Sequence, residues 1–250
     1  MRVTAAAAAL TPRQGLVLAG VAAMCAICAR RGDAGVVGSL GPPPRDKMNK
    51  LTLTVVEERL KLVKPTSAGD VTVVPFLKAS YAIITIFDAI PGMGMVKSDM
   101  IGNTDKLWKC LRTGSETMQE LCDGELEALD GNADKARAVE GSACNSALWL
   151  TRALRLIEGI LKELVRSMEM SLKDCCLNAY ARSLKRHHNM VLKRVFSVAV
   201  NAAPERAVFM SKLSPAPEAD ALKTMSKLLP AFSKTLNGIE GYLRKQGIER

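Results

Sequence analysis

The chain has 250 residues, a formal net charge of +10, and a composition that is 48% hydrophobic but only 4% aromatic. That length suits one sizeable domain plus an appendage. The charge is uneven: seven basic and two acidic residues fall in the first 50, against 28 and 23 in the rest, so the body is mildly basic. No basic stripe interleaved with aromatics is present, which argues against nucleic-acid binding, whereas a mild excess suits brief contact with an anionic membrane surface.

Residues 1–48 read as a leader or flexible extension. They hold Arg2, Arg13, an Ala run, an apolar stretch from Leu16 to Cys28 and then Arg30-Arg31, with no acid before Asp33. The apolar stretch is short for a membrane span. It fits a signal h-region, a signal anchor, an organelle transit segment or a misassigned start, although the lack of Ser before Ser39 weakens the transit reading. Pro42-Pro43-Pro44 then mark a flexible junction, and a single domain is expected over 49–250.

Long apolar runs with helical period and no convincing strand alternation predict an all-α fold for that domain. Val71-Thr-Val-Val74, the strand-like piece, reads as a loop leading into a helix. Pro75-Phe76-Leu77 should precede a second apolar helix, with Phe87-Asp88 near its end. No internal repeat is visible.

Asp99, Asn103 and Lys106 follow at i, i+4 and i+7, one above another on a helix face. An acceptor, an amide and a cation in a row can grip a polyhydroxylated or zwitterionic group; a solvated helix face gives the same pattern. Asn145, Trp149 and Arg152 lie on a face beside the apolar stripe Leu150, Leu154, Ile157, Leu161 and Leu164. Trp149 serves equally as a core-rim residue or as a stacking plate for a sugar ring. The chain's two histidines come next. Continuing one helix through Leu184, His188, Val191, Val195 and Val198 turns His188 inward and leaves His187 with Ser183 and Arg194 on the wet side. A satisfied core histidine has the same signature, and no further ligands stand near it for a metal site. Lys185-Arg186 and Lys193-Arg194 read as solvated helix faces.

Seven cysteines, an odd number, suggest free thiols in a reducing compartment. Cys25-Ala-Ile-Cys28 sits in an apolar run without a redox fold around it. No nucleophile elbow, phosphate loop or zinc-protease helix is found, and no metal or cofactor is expected.

From about residue 50 to 245 the chain resembles the glycolipid transfer protein family. The resemblance rests on Ser98-Asp99-x-x-Gly102-Asn103-x-x-Lys106, on Trp149-Leu-x-Arg152-x-Leu154-Arg155, and on Ala179-Tyr180 through His188 to Ala202-Ala203-Pro204. It implies an all-α, two-layer helical sandwich enclosing a hydrophobic lipid pocket. It also implies that Asp99, Asn103 and Lys106 hold a sugar head group, that Trp149 stacks on it, and that His188 with Asp99 holds the ceramide amide. Departures accompany it. Met190 stands where the best-known glycolipid carrier has a Trp that helps it dock on membranes, and Tyr242 is the last aromatic, with no counterpart of that carrier's terminal Tyr. The ceramide-phosphate branch carries Arg at the Asn145 and Trp149 positions and Lys at the Asn103 position. This chain has none of the three, which favours sugar, while Arg152 and Arg155 remain as possible contacts for an anionic head group.

The expectation is a cytoplasmic monomer, not an enzyme, that touches membranes transiently and moves a sphingolipid, a glycosylceramide in the first reading. Ceramide-phosphate transfer and a lipid sensor with the same pocket are the alternatives. An enzyme using Asp99 and His188 as an acid–base pair is disfavoured by the resemblance.

Overall fold

The computed structural model describes residues 52–111 and 114–250. The predicted leader therefore lies outside the described residues. Ten α-helices are described: α1 (Leu53–Lys61), α2 (Val73–Ile84), α3 (Gly94–Cys110), α4 (Met118–Ala128), α5 (Ala133–Ala138), α6 (Ala143–Arg166), α7 (Leu172–Arg182), α8 (Met190–Asn201), α9 (Arg206–Leu213) and α10 (Glu218–Lys245). Short 3₁₀ turns follow α2 (Thr85–Ala89) and α7 (Leu184–Arg186). The only β pairing among the described residues is two isolated bridges, Pro65–Val71 and Thr72–Thr117; Val71 and Thr72 of the strand-like run are the loop entering α2, and Val73 and Val74 are already its first residues.

The helix starts are written into the sequence. Thr52, Asn132, Ser142, Ser171 and Asn189 each accept a backbone N–H from the first turn of α1, α5, α6, α7 and α8. Thr117 and Glu120 form a capping box on α4. Each such cap is worth about 1 kcal/mol. Pro75-Phe76-Leu77 corrects the sequence expectation: these residues lie inside the first turn of α2, not before it. Pro75 fits there because first-turn N–H groups lack intrahelical partners anyway.

α6 is the spine. α7, α10 and α3 pack around it, α2 joins α1 to α3, and α1 returns to α10. The expected stripe of Leu150, Leu154, Ile157, Leu161 and Leu164 is fully buried. Burying each such side chain contributes roughly 1.5–3 kcal/mol. Glycine permits two close approaches. Gly159 on α6 faces Ala179 on α7, and Gly92, at φ +86°, lies where a Cβ would be 3.2 Å from the Ala199 backbone of α8. Arg206 ends α6, donating to the Leu164 and Ser167 carbonyls at 2.8 Å while pairing with Glu218 at 2.7 Å.

The predicted helix through Leu184 to Val198 is also corrected. α7 stops at Arg182, and Asn189 caps a new helix, which resets the phase. Val191 and Val198 are consequently 68% and 71% exposed instead of inward. Met190 and Leu192 are exposed beside them. No helix among the described residues is long and apolar enough to cross a membrane. The five cysteines described are free thiols; Cys25 and Cys28 lie outside the described residues.

Candidate functional site

Three segments distant in sequence converge at one end of α6. α3 brings Asp99, Asn103 and Lys106, with the Asn103 amide donating to Asp99 Oδ2 at 3.3 Å. Asn103 is buried at 4% exposure, Lys106 is half-buried, and Asp99 keeps contact with solvent. Lys106 reaches Glu140, which the loop after α5 supplies, at 3.6 Å. The helical spacing seen in the sequence thus makes a real row with a buried amide at its centre.

α6 contributes Trp149, whose ring stacks over His188 at a centroid distance of 6.5 Å and an interplanar angle of 27°. His188 hydrogen-bonds through Nδ1 to the Tyr180 hydroxyl at 3.0 Å, and Tyr180 stacks on Phe196 of α8. The loop between α7 and α8 holds this histidine half-buried, although the helical stripe that was to turn it inward does not exist. His187 corrects the wet-side expectation: it is half-buried, edge-on to Trp149 at 6.5 Å, and its Nε2 accepts from Arg186.

Electrostatics couple the segments. The surrounding protein raises the Asp99 pKa by burial, against the opposing pull of the Lys106 and His188 charges; Glu140 adds to the rise. Burial lowers the His188 pKa, partly offset by Asp99, with Lys193 adding to the fall. Asp99 and His188 therefore lie within reach of each other's field.

Arg152 and Arg155 are already engaged. Arg152 forms a bidentate pair with Glu249 at 2.8 and 2.9 Å, with side chains 11% and 5% exposed, and its guanidinium lies 5.0 Å from the Trp149 ring centroid. Arg155 binds Glu240 at 2.7 and 2.8 Å and Glu158 at 2.8 Å, and reaches Asn237. Asn145 donates to the Arg137 carbonyl at 2.6 Å. Sequence reasoning missed Glu140, Tyr180 and Glu249 as partners. Tyr180 stood inside a quoted motif eight residues before His188, whereas Glu249 lies 97 residues from Arg152 and gave no local signal. No cluster suited to a metal ion is present among the described residues.

The arrangement offers hydrogen-bond donors and acceptors beside one flat ring, above an apolar helical body. Comparison with known proteins agrees with that character. The glycolipid transfer protein (GLTP) family model matches residues 71–215. Pleckstrin homology domain-containing family A member 8 of Rattus norvegicus is 32% identical over 187 residues, covering 70% of this chain and 35% of that protein. The chain thus spans about a third of the length of that relative. A solved structure of FAPP2, described as selecting simple glycosphingolipids with the GLTP fold, superposes with a TM-score of 0.68 at 25% identity, covering 76% of this chain and 93% of that one. Human ceramide-1-phosphate transfer protein shares the fold at a TM-score of 0.71 and 19% identity, over 80% and 99% of the two chains. With more than half of its length matched by the family model, the chain belongs to the glycolipid transfer protein family, whose members transfer lipids and catalyse no reaction.

Proposed function

We propose that this domain extracts a simple glycosylceramide from one membrane, shields it, and releases it at another. In this reading Asp99, Asn103 and Lys106 hydrogen-bond the sugar hydroxyls, Trp149 stacks on the sugar ring, and His188 with Asp99 holds the ceramide amide. The observation that carries it is the state of the cations. Arg152 and Arg155 are paired with buried or half-buried carboxylates, so the guanidiniums that would read a phosphate ester are occupied. A phosphate there would leave Glu249 unpaired in a poorly hydrated place, at a cost of several kcal/mol, or would compete with Glu240 and Glu158 for Arg155. A sugar ring asks for no such rearrangement.

Chain burial supplies affinity and the polar row supplies selectivity. Each buried methylene gains about 0.8 kcal/mol whatever the lipid class. A buried amide such as Asn103 instead penalises a ligand that leaves it unpaired. The exposed Met190, Val191, Leu192 and Val198 of α8, flanked by Lys185 and Arg194, fit brief docking on a bilayer. We place the lipid-carrying unit at residues 49–250 and read it as a cytoplasmic monomer.

The test is competitive transfer between vesicles of a labelled glycosylceramide and a labelled ceramide phosphate. The wild type should prefer the sugar lipid, and Asn145→Arg with Trp149→Arg should weaken that preference by about tenfold or more. A wild type that carries the phosphate lipid better would overturn the assignment. Tight retention of lipid without exchange would point to a sensor.

A further inference from the structure

A groove of about 260 Å³ lies along α6, walled by α7 and by the end of α10; Arg152 and His187, which line it, also border Trp149, but none of Asp99, Asn103, Lys106, Trp149 or His188 lines it. Six cations line it against three carboxylates, and the pairing inside it is uneven. Arg152 holds Glu249; Arg155 and Lys162 share Glu158, with Glu240 also on Arg155; Arg182 is held by Glu163 from behind. Those four cations and their carboxylates nearly neutralise one another. Arg186 and Arg244 remain. Both are exposed at the groove, and neither has a carboxylate partner among the described residues; Arg186 only donates to His187 Nε2.

We propose that this groove is a second binding site, distinct from the head-group row, that takes a phosphate-bearing group between Arg186 and Arg244. Two guanidinium forks offer a phosphomonoester more donors than a single carboxylate can use, and the dianion matches two unpaired positive charges. The groove's own acids pair directly with other cations; Glu249 feels the Arg186 charge through space, and no acid forms an ion pair with Arg186 or Arg244 among the described residues. The field is felt locally: burial and then the Arg152 charge lower the His187 pKa, and Arg186 adds to the fall against the pull of Glu249. His187 lines the groove, and Asn189, two residues on, starts the helix whose Met190, Val191 and Leu192 face solvent. The inference does not depend on which sphingolipid is carried.

The phosphate can come from a lipid head group or from a soluble phosphorylated molecule, and two arms separate these. In the first, inorganic phosphate is titrated into the full chain while the ring resonances of both histidines are followed. His187 borders both the groove and Trp149, and His188 borders Trp149 but not the groove, so phosphate in the groove moves His187 more than His188 and phosphate at the head-group site moves both. In the second, binding to phosphatidylcholine vesicles is measured with and without phosphatidic acid. Arg186→Gln with Arg244→Gln is compared with the charge-matched Lys173→Gln with Lys227→Gln, all at exposed positions.

The expected result is a saturable response of His187 to phosphate, weakened about tenfold or more in the groove variant and kept in the matched one. If phosphatidic acid also recruits the protein through Arg186 and Arg244, the site reads a lipid phosphate; if only inorganic phosphate binds, it reads a soluble one. An unresponsive His187 together with vesicle binding that falls equally in both variants would reduce the groove to general surface charge and overturn the proposal. Preserved glycolipid transfer alongside that negative result would leave the carrier function standing.

Discussion

Glu249 fixes the position of Trp149 without touching it. Its carboxylate grips Arg152, and Arg152 lies against the indole ring. Burial opposes the charge on Glu249, but the Arg152 hydrogen bonds outweigh it and lower the pKa. Glu249→Gln should leave a nearly buried guanidinium short of its counter-charge, costing about 3 kcal/mol of stability. It should also loosen the ring, seen as altered indole fluorescence and weaker glycosylceramide transfer. Normal unfolding temperature and normal transfer would show that Trp149 is held by other contacts. Asp99 gives a second prediction. Because its pKa is raised, it takes up a proton at higher pH than an ordinary carboxylate, and the protonated acid loses acceptor capacity. Glycolipid affinity should fall on acidification starting above the ordinary value of 3.8. Asp99→Asn should be weaker near neutrality, by about tenfold, and should lack that acid limb. An identical acid limb in the variant would assign the titration to another group. The Asp99 row was legible in sequence because one helix carries all of it. Glu249 and Glu140 were not, because their partners are brought to them only by packing.

At the scale of elements, the capped starts and the α6 stripe follow from local chemistry, which explains their legibility. The failure lies between α7 and α8. Period counting assumes one phase, and the Ser183–Asn189 connection breaks it: Asn189 caps a helix whose apolar residues then point outward. That outward set is why we propose α8 as the docking element. Val191→Ser with Val198→Ser should leave helicity and lipid occupancy intact while reducing vesicle binding several-fold. Loss of folding would mean that these side chains are packed. Unchanged vesicle binding would move the docking surface elsewhere.

For the whole molecule, the spine is held by buried carboxylates as well as leucines. Glu163 is buried and clasped by Arg166 and Arg182, and those contacts lower its pKa against the opposing effect of burial. Glu158 is lowered similarly, by Lys162, Ser233 and Arg155. A pKa lowered in the folded state adds stability above the unfolded value of 4.5 and loses it as pH falls through the folded value. Unfolding temperature should therefore drop steeply on acidification below 4.5, and Glu163→Gln should flatten part of that drop while lowering stability near neutrality. A parallel pH profile in the variant would remove Glu163 from the acid response. The chain from residue 50 onward should fold and transfer lipid by itself, measured by helicity and vesicle exchange. An unfolded product would place part of the core before Lys50.

Gly92 sets a limit on which sequences this architecture tolerates. Its backbone is left-handed, and a side chain there would press on the Ala199 main chain, which is anchored in the helix we propose for membrane docking. Gly94 and Gly102 on α3 have open space where a Cβ would go. In a saturation library selected for folded protein, position 92 should admit almost no replacement, and positions 94 and 102 should admit several. A substitution tolerated at 92 should come with a second change near Ala199. The proposed docking helix would then vary in step with a turn some hundred residues earlier, a coupling recorded in descent and absent from any single motif.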